Sequence, residues 1–250
     1  MKLVLIIPFI TAAVASAQPG IVSPRIGFVQ DAAHSIRPMF GLAGNFIAGE
    51  AVVTDVVSSA FSGSFGLLKT DSAVILVDDV GRTIANLDAP SGSALFGFSR
   101  DGAPALVYFP SRNLLLQWTG TAFDPVAFEI ADPVLSISSR DPGFADLIVQ
   151  RDDTLWEVRI QLADGQTVRQ AALVGVRAPA LLLASGDLIY RDSGGVVIRR
   201  PGQSEVQIPA DLPGQFQFRQ MSSEWIQIND IAVRITPSRE CIFSLPEVEQ

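Results

Sequence analysis

Histidine and cysteine are almost absent from this sequence of 250 residues, which contains one of each, His34 and Cys241. A single cysteine cannot form an internal disulfide, and it also excludes zinc sites built on several cysteines. One histidine excludes a histidine-rich metal centre, so we expect no bound metal and no cofactor. We expect Cys241 to be a small buried side chain near the C-terminus, because free cysteine is among the most buried residue types.

Positive charge is scarce as well. The 18 Lys and Arg residues are outnumbered by 26 Asp and Glu residues, which gives a formal charge of −8. Binding to a phosphate backbone needs basic patches, so we expect no nucleic-acid partner. Apolar runs of about 20 residues, the length that crosses a bilayer, are also missing. We therefore expect no transmembrane span in the mature chain.

The first 17 residues, MKLVLIIPFITAAVASA, differ from the rest of the chain. One basic residue, Lys2, precedes an uncharged apolar run that ends in the small residues Ala-Ser-Ala at positions 15–17. This is the layout of a secretory signal peptide, and the alternative is a signal anchor that is retained. We expect export to the periplasm or the cell exterior, and a mature chain, 18–250, that is one monomeric domain.

Long helical patterns are missing outside the first residues, and 16 Pro and 20 Gly residues interrupt the chain often. Five segments of similar length begin instead at positions 56, 93, 134, 180 and 216. Each contains four short apolar runs, which we name strands A to D in chain order. A period of about 40 residues with four strands is typical of a β-propeller blade. The sequence therefore predicts an all-β protein, a β-propeller of five to six four-stranded blades, with clear repeats over 56–247.

The second segment shows the expected strands most clearly, at 94–98, 104–109, 113–118 and 125–130. The N-terminal region 18–55 fits less well. Its stretch RIGFVQDAAHSIRPMF (25–40) has the pattern of a C–D hairpin. It would supply outer strands to a sixth blade that the C-terminal strand near 241–245 closes, or it would pack on the rim of a five-bladed ring. We interpret GLAGNFIAGE (41–50) as a glycine-rich connection.

One sequence motif of the repeats resembles the repeat motif of a known family. FSRDGAPALVYF (98–109) resembles the Phe-Ser-Pro-Asp-Gly repeat of TolB-like and WD40-like propellers, and SSRDPGFADLIV (138–149) is a longer version. Asp101 and Gly102 match the Asp-Gly of that motif, whose role is to shape a tight turn. The likeness covers about 56–247 and implies an envelope scaffold that binds other proteins, although the separate N-terminal domain of TolB is not recognisable. The overall sequence pattern also resembles that of exported propellers of environmental bacteria.

Residues able to perform chemistry are few. A Ser-His-Asp triad would have to use His34, which lies in a turn-like stretch, and we interpret it as a solvated turn residue. Retaining glycosidases need two carboxyl groups about 5 Å apart, whereas neighbours on a strand point to opposite faces. The adjacent pairs Asp78-Asp79 and Asp152-Asp153 are therefore interpreted as turn formers. A true pair would have to come from separate blades at the propeller axis.

Three tryptophans leave two interpretations open. Trp118 and Trp156 fall on strand C of neighbouring blades, and Trp225 falls on strand B of the last blade. Packing between blades is the ordinary role of such side chains, and a sugar-stacking surface is the alternative.

Acidic residues recur at equivalent turns of the repeats. In a propeller the B–C and D–A connections emerge on one face, so their aspartates should share that face. We hypothesise that this face, rather than the turns at Arg100 and Arg140, engages a basic partner or a cation. The predicted function is an exported binding or scaffold module for protein or carbohydrate, and the alternative is a carbohydrate-active hydrolase with carboxylates at the axis. The predicted binding residues are Asp71, Asp88, Asp132, Asp152, Asp153, Asp192, Asp211 and Asp230.

Overall fold

The computed structural model describes residues 23–42, 44–100, 105–212, 214–236 and 240–246. These residues form six antiparallel sheets, five of four strands and one of three. The only helix among them is one short 3₁₀ turn, Pro110–Arg112. The prediction of an all-β propeller is confirmed. Among the described residues, no helix is long and apolar enough to cross a membrane.

The strands follow one another in chain order within every sheet. The N-terminal sheet contains β1 Arg25–Gln30, β2 Ile36–Leu42 and β3 Asn45–Ala48. Blade 1 contains β4 Ser58–Phe61, β5 Phe65–Lys69, β6 Ala73–Asp78 and β7 Thr83–Asp88. Blade 2 contains β8 Leu95–Phe98, β9 Ala105–Phe109, β10 Leu114–Trp118 and β11 Phe123–Val126. Blade 3 contains β12 Val134–Ser138, β13 Phe144–Arg151, β14 Thr154–Gln161 and β15 Thr167–Ala172. Blade 4 contains β16 Ala180–Leu182, β17 Leu188–Asp192, β18 Gly195–Arg199 and β19 Val206–Pro209. Blade 5 contains β20 Phe218–Gln220, β21 Trp225–Ile228, β22 Ile231–Ile235 and β23 Glu240–Ser244.

The second strand of each four-stranded blade is buried along most of its length. All five residues of β9, ALVYF, are buried, because both faces of a blade pack against other sheets. Successive side chains point to opposite faces, so Leu67 packs against blade 2 while Leu68 packs against the N-terminal sheet. The outermost strand β15, TVRQAA, is mostly exposed. Burial therefore falls from the inner strands of each blade to its outer edge.

The segment starts and most strand positions of the predicted repeats are correct. The innermost strands begin at Ser58, Leu95, Val134, Ala180 and Phe218. Strand D of blade 2 is an exception, since it was expected at 125–130 and instead begins at Phe123. The tight turn after β10 brings Phe123 directly opposite Trp118, so pairing starts earlier than the apolar run suggests.

The N-terminal sheet differs from the prediction in how it is built. The C-terminal strand β23 pairs with β22 inside blade 5, so β23 does not close the N-terminal sheet. Residues 41–50, expected to be a connection, instead include strand β3. Phe46 of β3 is buried and packs edge-on against Trp225, with ring centroids 5.6 Å apart. Gly41 has a φ of +127°, and a Cβ there would lie 2.1 Å from the carbonyl oxygen of Asn45, so glycine allows the tight β2–β3 hairpin.

The innermost strands β20 and β4 contact each other directly, and β1 contacts β21 and β4. In the N-terminal sheet β1 therefore takes the position that strand B has in the other blades, and this sheet has no strand in position A. Five innermost strands therefore surround the axis, and the N-terminal sheet is the sixth blade of the propeller, with three strands. The ring closes through β1. Its Phe28 N–H donates to the carbonyl oxygen of Met221 at 3.1 Å. Gln227 Nε2 donates to the Gln30 carbonyl at 2.8 Å, and the Gln30 N–H donates to Gln227 Oε1 at 3.0 Å.

Candidate functional site

The innermost strands of the five blades surround a cavity of about 580 Å³ at the axis. Its wall comes from the first residues of β4, β8, β12 and β16 and from residues 214–220, which lead into and include β20. Within blade 1, Ser58 pairs with Lys69 at the end of β5, and Ala73 pairs with Asp88 at the end of β7. The starts of the innermost strands thus lie at the same end of the blade as the B–C and D–A connections. We call this end of the ring the cavity face.

The wall of the cavity combines apolar side chains with serine hydroxyls and glutamine amides. Two of these hydroxyls connect neighbouring innermost strands. Ser58 Oγ accepts a hydrogen bond from the Ala94 N–H at 3.1 Å, and Ser136 Oγ accepts one from the Leu182 N–H at 3.0 Å. The apolar part of the wall includes Ala60, Phe96, Ile137, Leu181, Phe216 and Phe218.

Arg219 of β20 is the one charged residue among the described residues that line the cavity. It is half-buried, and no hydrogen bond or ion pair joins its side chain to any described residue. Burial lowers the pKa of the Arg219 guanidinium below its ordinary value, because desolvation opposes the charged form. Arginine nevertheless stays protonated in proteins. The cavity wall thus carries one positive charge whose N–H donors are unused.

The predicted acidic residues lie at the B–C and D–A connections of the sheets. Asp152 and Asp153 form the two-residue turn between β13 and β14, where Arg151 pairs with Thr154, and Asp152 has a φ of 49°. Asp132 is half-buried and forms an ion pair with Arg151 at 2.5 Å. The seven others are exposed, and none of them forms an ion pair with a described residue. We call the eight residues the acidic rim: Asp71, Asp88, Asp132, Asp152, Asp153, Asp192, Asp211 and Asp230.

Lys69, which the sequence analysis did not single out, is fully buried beneath the acidic rim. Its Nζ donates to the carbonyl oxygen of Asp71 at 3.0 Å and to that of Thr70. Burial lowers the pKa of Lys69, and the charge of Asp71 opposes this change. Since its donors are used by the B–C turn, we interpret Lys69 as a structural residue that holds this turn.

A second group of charged residues lies in blade 3, at the end opposite the cavity face. Asp146 of β13 is fully buried. It accepts hydrogen bonds from Arg140 Nη2 at 2.6 Å and from Arg159 Nε at 2.8 Å. Arg140 also pairs with Glu157, and Arg159 pairs with Asp141 at 2.5 Å. We call these five residues the Asp146 cluster.

The charges of the Asp146 cluster compensate one another. Burial raises the pKa of the Asp146 carboxyl, but the hydrogen bonds and charges of Arg140 and Arg159 outweigh burial, so its pKa lies below the ordinary value. The hydrogen bond to Asp146 in turn raises the pKa of Arg140. Arg140, Asp141 and Arg159 also border a cavity of about 250 Å³, together with Arg100 and Arg169. Because Asp146 already occupies the donors of two arginines, we interpret the cluster as structural.

The remaining predicted residues have mostly local roles. His34 is exposed in the turn between β1 and β2. Asp78 Oδ1 accepts hydrogen bonds from the backbone N–H groups of Val80 at 3.0 Å and Arg82 at 2.7 Å. Its interpretation as a turn former is therefore confirmed. The motif residues Asp101 and Gly102 lie outside the described residues, and so does the predicted signal peptide, 1–17.

The predictions for cysteine and tryptophan meet different outcomes. The expectation that Cys241 is buried is wrong, because it lies half-buried on strand β23, the outermost described strand of blade 5. Trp118 and Trp225 belong to buried core clusters, as the packing interpretation predicts. Trp156 is half-buried, and the guanidinium of Arg151 lies 5.1 Å from its ring centroid. Among the described residues, no group of three or more His, Cys, Asp or Glu side chains is arranged to hold a metal ion.

No protein-family model matches the chain, and no curated protein matches it significantly. Solved structures do match. A chain of the Nidogen/Laminin complex is 15% identical with a TM-score of 0.57, over 87% of this chain and 92% of that one. TolB from Acinetobacter baumannii is 15% identical with a TM-score of 0.54, over 88% of this chain and 61% of TolB. The β-propeller domain of Myceliophteria thermophila Cps50 (Swd1) is 14% identical with a TM-score of 0.46, over 78% of this chain and 68% of that one.

At these identities the likeness shows the fold alone. The predicted resemblance to TolB-like propellers is confirmed at that level, and the chain has the β-propeller fold.

Proposed function

We propose that this chain is an exported, monomeric binding module that holds its partner on the cavity face. One observation carries the proposal: blades 1 to 5 all contribute to the wall of a single cavity of about 580 Å³ on this face. Ligand sites in proteins are typically concave and combine an apolar wall with polar groups that orient the ligand, and this cavity contains both. The basic, apolar and small-residue pattern of 1–17 supports export.

The acidic rim indicates what kind of protein partner would approach the cavity face. Seven of its eight aspartates form no ion pair with a described residue, and only Asp132 is paired with an arginine. A surface of one sign attracts partners of the opposite charge and makes their association depend on salt. We therefore propose a partner that presents basic residues to the rim.

The hydrolase alternative has less support. A glycosidase at the axis needs two carboxyl groups on either side of the substrate. The described residues that line the axial cavity include no carboxylate, and their one charged group is the guanidinium of Arg219. Binding is therefore the function that the geometry of this cavity supports best.

The test compares two triple variants with the same change in net charge. Asp152, Asp153 and Asp192 are replaced by Asn on the rim. In the control, Asp79, Asp124 and Asp164 are replaced by Asn. These residues lie near the C–D turns, at the end of the ring opposite the cavity face. The probe is a fluorescein-labelled peptide of alternating Lys and Ala, and fluorescence anisotropy at an ionic strength of about 0.1 M measures its affinity.

We expect the rim variant to bind the peptide at least about ten-fold more weakly than the unaltered protein, because three rim charges are lost. The control should stay within about two-fold, since the field of its charges at the rim is largely screened over a Debye length of about 10 Å. Equal losses in the two variants, or no loss in either, would contradict an acidic rim that binds basic partners.

A further inference from the structure

We infer that the axial cavity is a binding site for a carboxylate group, and that Arg219 is the residue that binds it. This inference goes beyond the proposed function and does not depend on it, because the acidic rim contributes no contact to the site. It concerns a small ligand inside the cavity rather than a basic partner on the surface around it.

The first argument is the isolation of Arg219. The other half-buried arginines of the described chain have partners. Arg37, Arg140, Arg151, Arg159, Arg199 and Arg200 each pair with a carboxylate at 2.8 Å or less, and Arg25 pairs with Asp79 at 3.5 Å. Arg191 donates to the carbonyl oxygen of Gly214 at 3.0 Å. Taking a charge out of water without a partner is unfavourable, so among the half-buried arginines of the described residues Arg219 is the one for which a ligand could supply the missing acceptor.

The second argument is the chemistry that matches a single guanidinium. A planar carboxylate can accept two parallel hydrogen bonds from arginine, and its one negative charge equals the one positive charge of Arg219. A phosphate monoester carries close to two negative charges at neutral pH. No second cation lines the described part of the cavity, and the acidic rim lies at the same end of the ring. A monoanion therefore fits the site better than a dianion or a polyanion does.

The third argument is the rest of the cavity wall, which indicates the body of the ligand. Phe216 and Phe218 pack edge-on, with ring centroids 5.2 Å apart, and both line the cavity. Phe96 lines it from blade 2. A volume of about 580 Å³ lies within the range of about 300–1,000 Å³ that holds small organic ligands. The wall thus suits an apolar or aromatic carboxylic acid.

Such a carboxylate has two sources, a free organic acid or the C-terminal end of a peptide. The experiment includes both. The probes are 4-phenylbutyrate and the peptide N-acetyl-Gly-Gly-Phe with a free carboxylate, each compared with its own uncharged amide. Phenyl phosphate is the dianionic comparison. Isothermal titration of the full mature chain measures the affinities at neutral pH.

Three variants locate the site. Arg219→Gln removes the charge while keeping hydrogen-bonding capacity, and Arg219→Lys keeps the charge without the planar fork. Arg177→Gln is the matched control, because Arg177 is exposed in the D–A connection between β15 and β16 and so lies on the same face. If Arg219→Gln does not fold, the side-chain Nε–Hε resonance of Arg219 in the unaltered protein replaces it as the readout.

We expect at least one acid to bind the unaltered protein at least about ten-fold more tightly than its amide, as hydrogen bonds to charged groups predict. Arg219→Gln should remove this preference, Arg219→Lys should retain part of it, and Arg177→Gln should change affinity by less than about two-fold. Binding of 4-phenylbutyrate alone would assign the site to free organic acids, and binding of the peptide as well would extend it to peptide C-termini.

The inference is overturned if neither acid binds at millimolar concentration, or if acid and amide bind equally. It is also overturned if phenyl phosphate binds more tightly than the acids, or if Arg219→Gln and Arg177→Gln have the same effect. These outcomes are separate from those of the rim variants, which leave Arg219 intact.

Discussion

Arg219 and the two arginines of the Asp146 cluster are all half-buried, yet their surroundings are opposite. Arg140 and Arg159 share the buried carboxylate of Asp146, and the hydrogen bond to this carboxylate raises the pKa of both guanidinium groups. Arg219 has no carboxylate among the described residues, and burial lowers its pKa. The comparison separates a charge that stabilises the fold from a charge that remains available to a ligand.

The largest loss of unfolding free energy is expected from a substitution in the Asp146 cluster. Replacing Asp146 by Asn leaves two guanidinium groups without their shared acceptor, and removing one partner of a buried ion pair destabilises by about 3 kcal/mol or more. Asp141→Asn is the matched control, because Asp141 has a side-chain exposure of 59% and exposed ion pairs contribute at most about 1 kcal/mol. Urea unfolding of the protein measures both changes. Equal losses in the two variants would show that Asp146 has no special structural role.

The same carboxylate makes a prediction for acid conditions. The pKa of Asp146 in the folded protein lies below its ordinary value of 3.8. A carboxyl of this kind stabilises the fold above its ordinary pKa, and it loses this contribution as the pH falls through its lower folded-state pKa. The difference in unfolding free energy between the unaltered protein and Asp146→Asn should therefore be full at pH 7 and shrink below about pH 4. A difference that stays constant down to about pH 2 would contradict this assignment.

The blades could be predicted from the sequence because their signal is local. Each repeat contains its own four short apolar runs, and both faces of the inner strands are buried, so most residues of these runs are apolar. The N-terminal sheet was harder to recognise for two reasons. Strand β3 has only four residues among glycines, and the closure of the ring depends on Gln30 and Gln227, which lie 197 residues apart. Contacts over that distance leave no pattern in a single sequence.

The sequence does contain one indication of the candidate site. The innermost strands of blades 1 to 4 read SSAF, LFGF, VLSIS and ALL, whereas β20 of blade 5 reads FRQ. Arg219 is thus the one charged residue in these five strands. What the sequence could not show is whether a carboxylate faces it, because the answer depends on how five blades meet at the axis.

The claim that Arg219 serves a ligand rather than the fold is tested most directly by the unfolding free energy of Arg219→Gln in the absence of ligand. Arg140→Gln is the reference for an arginine that serves the fold, and it should lose about 2 kcal/mol because Asp146 keeps only one of its two arginines. Arg219→Gln should lose nothing, or gain up to about 1 kcal/mol, since it removes a desolvated charge without a partner. A loss in Arg219→Gln as large as that in Arg140→Gln would contradict the account.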